Sequence, residues 1–570
     1  MRHRWPGYLL LLLVLAFFGV FLVWPVWETV RGAFALRGRW TAVYLIAVFQ
    51  NPVYLEGLYN AGCIAAATTL LVAILAMPLA WISTRFEFRG KSVLSGLVLV
   101  PMILPPFVGA IGIRQIFGQY GALNSLLRAF GVLGAHDSLD WLDGSSIWPV
   151  VLIEAFALYP VMYLSAAAAL ANVDPAMEEA AENLGCVGWR RFRRITLPLI
   201  APGLFAGATI VFIWSFTELG TPLLLGFNRV APVQIFHGIR DVGMDPPNPF
   251  PYALTVVMLS AAVLAYVVGR FLFGRGGHGM MARATAVPPI RRLDGRRGLL
   301  AAVPFVAVIF VGMLPHLAVL AISLSRGWYD SVVPADWTLD HYREALGHGL
   351  TVPSIANSMK YASLAMLVDV VFGVIIAYIV VRTRLPGRSL VDALSVMPLA
   401  VPGLVMAFGY LAMTQEGKPL AFLVGDPALP DPLVILVIAY AVRRLPYVVR
   451  SVVAGMQQTS VALDEAARNL GAGPATTLRR ITVPLIAANL VAGAVLAFAF
   501  AMLEVSDSLI LAQRMDDYPI TNAIFLLFQM PGQGPYVACA LGVWAMVFLL
   551  LALLLASQLL GKRMGAVFRV

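Results

Sequence analysis

A polar, arginine-bearing segment occurs twice in this chain, each time between long apolar runs. Residues 178–201 read EEAAENLGCVGWRRFRRITLPLIA, and residues 464–487 read DEAARNLGAGPATTLRRITVPLIA. Glu179 and Glu465, Gly185 and Gly471, and Pro198 and Pro484 are each 286 residues apart. A chain that carries one hydrophilic loop in each of two apolar halves presents it to a partner of two-fold or pseudo-two-fold character.

The apolar runs fix the class. Of 570 residues, 60% are hydrophobic and 12% charged, about half the charged share of a soluble domain. Runs long enough to span a bilayer recur along the whole length, which predicts a polytopic helical membrane protein. Twelve spans are expected, at 7–30, 58–82, 93–116, 147–171, 200–220 and 251–273, then 299–323, 356–381, 390–413, 432–455, 485–508 and 535–560. The opening MRHRWPGYLLLLLVLAFFGVFLVW has a basic head and a long apolar run without a small-x-small cleavage site, so it reads as an uncleaved first span. Cys63, Cys186 and Cys539 lie far apart in or beside apolar segments and read as small fillers.

The net charge of +10 would also suit a nucleic-acid binder, but the arginines sit in short loops between spans. Arg2 and Arg4 precede span one, and every even-numbered exit is basic: Arg85, Arg89 and Lys91; Arg190, Arg191, Arg193 and Arg194; Arg275 to Arg297; Arg382, Arg384 and Arg388; Arg479 and Arg480; Lys562 and Arg563. The odd exits carry aspartates such as Asp137, Asp241, Asp336, Asp426 and Asp517. This is the positive-inside pattern. It places both termini and both repeated loops in the cytoplasm of a multi-pass inner-membrane protein, with lipid rather than nucleic acid as its surroundings.

The halves match beyond the loop. Asn60, Arg85, Gly90, Pro101 and Pro105 align with Asn357, Arg382, Gly387, Pro398 and Pro402, all 297 apart. The lag drops from 297 to 286 because the first half has 11 extra residues in an outer loop around GVLGAHDSLDWLDGSS. Corresponding spans run the same way, so the repeat is parallel, about an axis along the membrane normal. Residues 1–273 form the first half with its loop at 172–198; residues 274–298 are a Gly/Pro/Arg-rich linker; residues 299–570 form the second half with its loop at 457–484.

Within the loop, Asp174-Pro175 is a helix start, with Glu178 and Glu179 in or near the first turn. Gly185 is a helix stop, and second starts come at Gly188 and at Gly473-Pro474. Trp189, Phe192 and Ile195 form an apolar stripe beside four arginines. A loop serving only as a topology anchor needs charge, not a repeated Glu-Ala-Ala, glycine and proline at fixed spacing.

The pattern EAA-x3-G-x9-I-x-LP resembles the signature loop of ABC-importer permeases. The first half fits at Glu179, Ala180, Ala181, Gly185, Ile195, Leu197 and Pro198; the second at Glu465, Ala466, Ala467, Gly471, Ile481 and Pro484, with Val483 in place of leucine. Two such loops on one chain resemble the fused permeases of the ferric-iron, thiamine and phosphonate uptake group, over about residues 55–273 and 355–560. The resemblance implies a coupling helix in each loop that fits a groove on a cytoplasmic ATPase, with Glu179 and Glu465 meeting basic groups there. It implies two copies of that ATPase and a periplasmic or extracellular substrate-binding protein. No G-x-x-x-x-G-K-[ST] loop is present, since Arg85 stands where the motif ending at Gly90-Lys91-Ser92 needs its upstream glycine. The chain is therefore expected to be no enzyme and to bind no cofactor, with ATP and Mg held by the partner ATPase.

Ionisable residues within spans are costly, about 2.5–3.5 kcal/mol each on insertion scales, and invite a reading. Glu218 and Glu504 are 286 apart near the outer ends of spans five and eleven, and Glu504 and Asp507 are spaced to share a helix face. They are candidates to line a pathway or gate; the alternative is hydration at the outer interface. Glu154, whose repeat mate is Tyr440, and Asp369 are candidate interhelical hydrogen-bond partners or substrate contacts. Arg443 and Arg444 are expected to face the bundle interior or an acid such as Glu504, or to contact an anionic substrate, and Arg450 to snorkel. Pro101, Pro105 and Pro106, with Pro398 and Pro402, place breaks in spans three and nine.

The expectation is an all-α polytopic membrane protein of two homologous six-helix halves in a parallel pseudo-two-fold arrangement, the type I ABC-importer permease fold. It would move a small solute inward by alternating access. The resemblance favours ferric iron, with thiamine, phosphonate, polyamine or sugar phosphate open. No His/Cys/Met cluster marks a dedicated metal site. An ion-coupled secondary transporter is the alternative class; a membrane-embedded enzyme lacks any nucleophile–base or ligand constellation.

Overall fold

A computed structural model describes residues 5–36, 39–103, 106–142, 146–239, 249–273, 291–399, 401–425 and 431–560. Pro105, most of the 274–298 linker, and the charges at Arg2, Arg4, Asp241, Arg275, Asp426 and Lys562 lie outside them.

Apolar sequence in water-poor surroundings must satisfy its backbone internally, and helices do so here. Among the described residues, eight helices are long and apolar enough to cross a membrane: Gly7–Phe34, Pro52–Arg85, Trp148–Ala171, Gly188–Phe216, Phe250–Gly269, Gly295–Ser323, Thr351–Arg382 and Gly534–Ala552. Three bent pairs qualify jointly: Lys91–Met102 with Phe107–Ala129 at 94°, Arg388–Leu399 with Gly403–Met413 at 101°, and Pro474–Leu485 with Ala487–Met502 at 79°. The expected tenth span is Leu433–Gln458, 26 residues long, whose arginines Arg443, Arg444 and Arg450 set it apart in composition. The first two bends fall where the proline-rich stretches of spans three and nine predict them.

Local signals set several ends. Asn51 caps span two, its Oδ1 accepting from the Val53 N–H at 2.9 Å ahead of Pro52. Spans two and eight have 34 and 32 residues. At 1.5 Å per residue each is about 50 Å long, well beyond the ~30 Å hydrocarbon core. Their C-terminal residues are Arg85 and Arg382.

The described chain divides into two compact units, one of Met1–Val48, Ile235–Val256 and Tyr342–Phe568, the other chiefly of Phe49–Gln234 and Val257–His341. Each half thus sends its first span into the unit built by the other half. The linker marks the sequence repeat rather than the packing boundary.

The same device seats both exchanged spans. In the first unit, a Cβ at Gly409 of span nine would stand 2.2 Å from the Pro25 carbonyl oxygen of span one. Tyr410 there also donates to the Phe21 carbonyl at 2.6 Å. In the second unit, a Cβ at Gly112 of span three would stand 2.0 Å from the Pro315 carbonyl oxygen of span seven. Gly112 and Gly409 are 297 apart, so they are repeat mates. Backbone that close cannot yield to a methyl group without displacing the helix. Gly112→Ala and Gly409→Ala are expected to cost about 1–3 kcal/mol each, read as a lowered thermal midpoint of the detergent-solubilised protein.

The core of the second unit is a continuous apolar cluster. Val72, Ala76 and Leu79 of span two meet Ala155, Tyr159, Met162 and Ala166 of span four, Ile200 of span five and Phe305 of span seven. Small residues on spans two and four allow this close approach.

Candidate coupling loops and intramembrane ion network

Both repeated loops fold alike. Helix Pro175–Asn183 begins at Asp174, whose Oδ1 accepts from the Ala176 N–H at 3.0 Å. Helix Val461–Asn469 begins at Ser460, whose Oγ accepts from the Ala462 N–H at 3.3 Å. Each ends in a full Schellman turn. Gly185 donates to Glu182 O and Cys186 to Ala181 O, both at 2.8 Å; Gly471 donates to Arg468 O at 2.9 Å and Ala472 to Ala467 O at 3.0 Å. Gly185 and Gly471 have φ of +75° and +85°, which a side chain disfavours.

The second helices start where expected, at Gly188–Arg191 and Pro474–Thr477. Each then passes into a five-residue π-helical turn, Phe192–Thr196 and Leu478–Thr482. The α-helical stripe predicted through Trp189, Phe192 and Ile195 thus holds only to Phe192, where Trp189 stacks on it at 5.1 Å. The π turn carries the half-buried Ile195 and Ile481 out of α-helical phase, and Pro198 and Pro484 come next, exposed.

The matched motif residues divide by face. Glu179, Ala180, Glu465 and Ala466 are exposed, whereas Ala181 and Ala467 are buried. Beside the glycines, Leu184 and Leu470 are 87% and 89% exposed. An apolar side chain held that far into water at two repeat-related tips is a surface awaiting cover.

One pair of buried, ion-paired acids was not singled out from the sequence. Glu178 and Asp464, immediately before the motif glutamates, are 6% and 5% exposed. Arg85 Nη2, at the C-terminal end of span two, contacts Glu178 Oε1 at 2.8 Å, and Thr196 Oγ1 donates to the same oxygen at 2.8 Å. Arg382 Nε, at the C-terminal end of span eight, lies 2.9 Å from Asp464 Oδ2, and Thr482 Oγ1 donates to Oδ1 at 3.0 Å. The signal was present: Pro175, Glu178 and Ala181 are spaced three apart and share the buried face, as Asp464 and Ala467 do.

The intramembrane acids and arginines fall into different arrangements in the two halves. Helix Ala487–Met502 ends before Glu504, so Glu504 and Asp507 do not share one helix as the spacing suggested. A turn joins them, and Glu504 Oε1 accepts from the Asp507 N–H at 3.4 Å at the start of helix Ser506–Leu511. Arg443 Nη1 contacts Glu504 Oε1 at 2.7 Å and Asp507 Oδ2 at 3.3 Å, and Arg444 pairs with the other Glu504 oxygen. Two cations and two anions thus form one buried network in the second half, facing the acid as the sequence reading expected. Arg450 pairs with Asp392 at 3.1 Å in a half-exposed position.

In the first half, Ala157 and Leu158 stand at the repeat positions of Arg443 and Arg444. Glu218 occupies the same helix break as Glu504, and its Oε1 accepts from the N–H groups of Gly220 and Thr221 at 3.1 and 3.2 Å. Glu154 accepts from Ser215 of span five, an interhelical bond of the kind expected. Asp369 departs from expectation: it is 1% exposed, and neither carboxylate oxygen has a hydrogen-bond partner among the described residues.

The model of the family described as binding-protein-dependent transport system inner membrane component matches residues 70–276 and again 369–564. A Haemophilus influenzae permease whose name assigns it to ferric transport, FbpB 1, is 27% identical over 477 residues, covering 82% of this chain and 70% of that protein. The ferric transport system permease FbpB of Actinobacillus pleuropneumoniae is 27% identical over 474 residues, 81% of this chain and 64% of that protein. The molybdenum transport system permease ModB of Mycobacterium tuberculosis is 29% identical over 247 residues, 42% of this chain and 88% of that protein. With one family segment in each half, and more than half of its residues matched, this chain belongs to the binding-protein-dependent transport system inner membrane components.

Proposed function

We propose that this chain is the membrane permease of an ATP-driven importer that brings ferric iron, delivered by an external binding protein, into the cytoplasm. The carrying observation is the loop built twice: a capped helix, a Schellman glycine and an exposed leucine at repeat-related positions. Two copies of a separate ATPase would dock there, one per loop, on Glu179, Ala180 and Leu184 and on Glu465, Ala466 and Leu470. Ala181, Gly185, Ile195 and Pro198, with Ala467, Gly471, Ile481 and Pro484, would set the shape of each docking element. ATP and Mg would belong to those subunits, and both termini would face them.

Closure of the ATPase pair would move the two loops together and turn the cavity outward; hydrolysis would reset it inward. Glu154 and Glu218 in the first half, and Glu504, Asp507, Arg443 and Arg444 in the second, would line the path or its gate. The permease makes and breaks no covalent bond. Relatives named for ferric transport that align over most of the chain favour iron as cargo. The half-length match to a molybdenum permease supports a second cargo reading, an oxyanion.

Reconstitution tests the reading. Proteoliposomes holding the permease, its ATPase and the iron-loaded binding protein are expected to accumulate radiolabelled iron only with ATP. Uptake that persists without any ATPase would instead establish an ion-coupled carrier. Calorimetry of ferric ion and molybdate on the binding protein separates the two cargoes.

A further inference from the structure

We infer that Glu178 and Asp464 are positioning residues for transport. Each clamps its coupling helix to the inner end of a long span and to the re-entry of the following one, so that the three move as one body. This rests on the loops being where the ATPase attaches, and adds how its motion leaves the loop.

The same kinds of partner, a span-end arginine and a re-entry threonine, meet the acid at both ends of the repeat, in different geometry. In the first half, the longer glutamate takes both donors on one oxygen: Arg85 Nη2 and Thr196 Oγ1, each at 2.8 Å. In the second half, the shorter aspartate divides its partners between its oxygens: Oδ1 accepts from Thr482 Oγ1 at 3.0 Å, and Arg382 Nε lies 2.9 Å from Oδ2 as an ion pair without hydrogen-bond alignment. The guanidinium shifts to suit. Arg382 Nη2 is left to donate to Thr459 O at 3.1 Å and to Thr459 Oγ1 at 2.7 Å, at the end of span ten. Two acids of different length, meeting a span-end arginine and a re-entry threonine in each half, mark the link itself as the feature that is built.

Three further observations fit a mechanical role. The arginines are the last residues of the two longest helices, of 34 and 32 residues. Both threonines are the last residue of a π-helical turn, at 192–196 and 478–482. Such a turn inserts one residue into the helix and re-aims the span beyond it. Around the first clamp, Arg85 lies over Trp81 at 5.3 Å, and Phe192 meets Trp81 edge-on at 5.4 Å, so apolar packing and ion pair hold the same junction. A buried carboxylate bridging a span end and a re-entry turn resists sliding in a way that apolar contact alone does not. Moving it off either partner leaves a charge without one.

The test uses the full permease with its ATPase and binding protein in proteoliposomes, with radiolabelled ferric ion as cargo. The readout is iron imported per ATP hydrolysed. Glu178→Gln with Asp464→Asn keeps the shape and removes the charge; it is expected to lower that ratio roughly tenfold. Exchanging the acids, Glu178→Asp with Asp464→Glu, is expected to keep it within about twofold, since each half already shows that either acid can close the link. Spin labels at Asn183 and Arg89 add a readout that mere loss of stability would not move. Their distance distribution should be narrow and independent of nucleotide in the parent and broadened in the Gln/Asn variant well below its melting temperature. An unchanged ratio in the Gln/Asn variant overturns the inference. Should that variant fail to assemble, Thr196→Val with Thr482→Val decides by the same ratio: a fall supports the clamp, and a parental value removes it. A parent permease that imports iron without binding any ATPase would overturn the reading of the loops instead, and is seen separately by co-purification.

Discussion

Glu504→Gln is expected to destabilise the permease by about 3–5 kcal/mol, the cost of leaving buried charge without its partner. Glu504 is 4% exposed and is the one acid that meets both arginines, Arg443 at 2.7 Å and Arg444 through its other oxygen. Its loss leaves two guanidinium groups with Asp507, whose ion pair among the described residues is with Arg443 at 3.3 Å. The repeat supplies an internal control. Glu218 stands at the same break without arginines on the matching turn of span four, where Ala157 and Leu158 sit. Its Oε1 accepts from backbone N–H groups, so Glu218→Ala, which removes that acceptor, is expected to cost about 1 kcal/mol for the lost cap. Removing the network as a whole, with Arg443→Met, Arg444→Met, Glu504→Leu and Asp507→Leu together, is expected to cost less than Glu504→Gln alone, because neither arginine is then left without its acid. Thermal unfolding in one detergent, followed by tryptophan fluorescence, ranks the three.

Gly185→Val with Gly471→Val is expected to abolish ATPase attachment and, with it, ATP-dependent import. The reason is conformational. A Cβ at either glycine would meet nothing within 4 Å, so the site has room. The φ values of +75° and +85° are the obstacle, costing a β-branched residue roughly 1–2 kcal/mol at each site. The loop can escape that cost only by unwinding the Schellman turn, which frees two backbone hydrogen bonds and swings Leu184 or Leu470 away. Gly185→Asn with Gly471→Asn, which tolerates the left-handed conformation, is expected to retain attachment. Co-purification of the ATPase with each variant is the measurement.

Much of this was legible in the sequence because it depends on local rules. Repeat offsets, helix caps, stop glycines and apolar runs each act over a few residues, and the loops fold as those signals say. What was hidden depends on which face meets which neighbour. The exchange of first spans cannot be read from a run such as 7–34, whose apolar residues point all round; its destination shows in contacts such as the tight pairs Gly409–Pro25 and Gly112–Pro315. The clamp was missed because the motif directs attention to Glu179 and Glu465, while the buried acids precede them by one position. On a helix that step turns a residue by about 100°, from the outer face to the inner one. Glu504 and Asp507 were assigned to one helix because spacing cannot show that the helix ends at Met502. Asp369 reads like any other intramembrane acid until its two unpartnered oxygens are seen.

The central claim is that the duplicated loop is where a separate motor takes hold. A photo-crosslinking amino acid installed in place of Leu184, and separately of Leu470, tests it in membranes that are actively importing. The account predicts that each position crosslinks to an ATPase subunit, and that a probe at Phe130, an exposed residue in the loop after span three that the account places on the opposite face, does not. ATP-dependent import with no crosslink to the ATPase from either loop tip would contradict it.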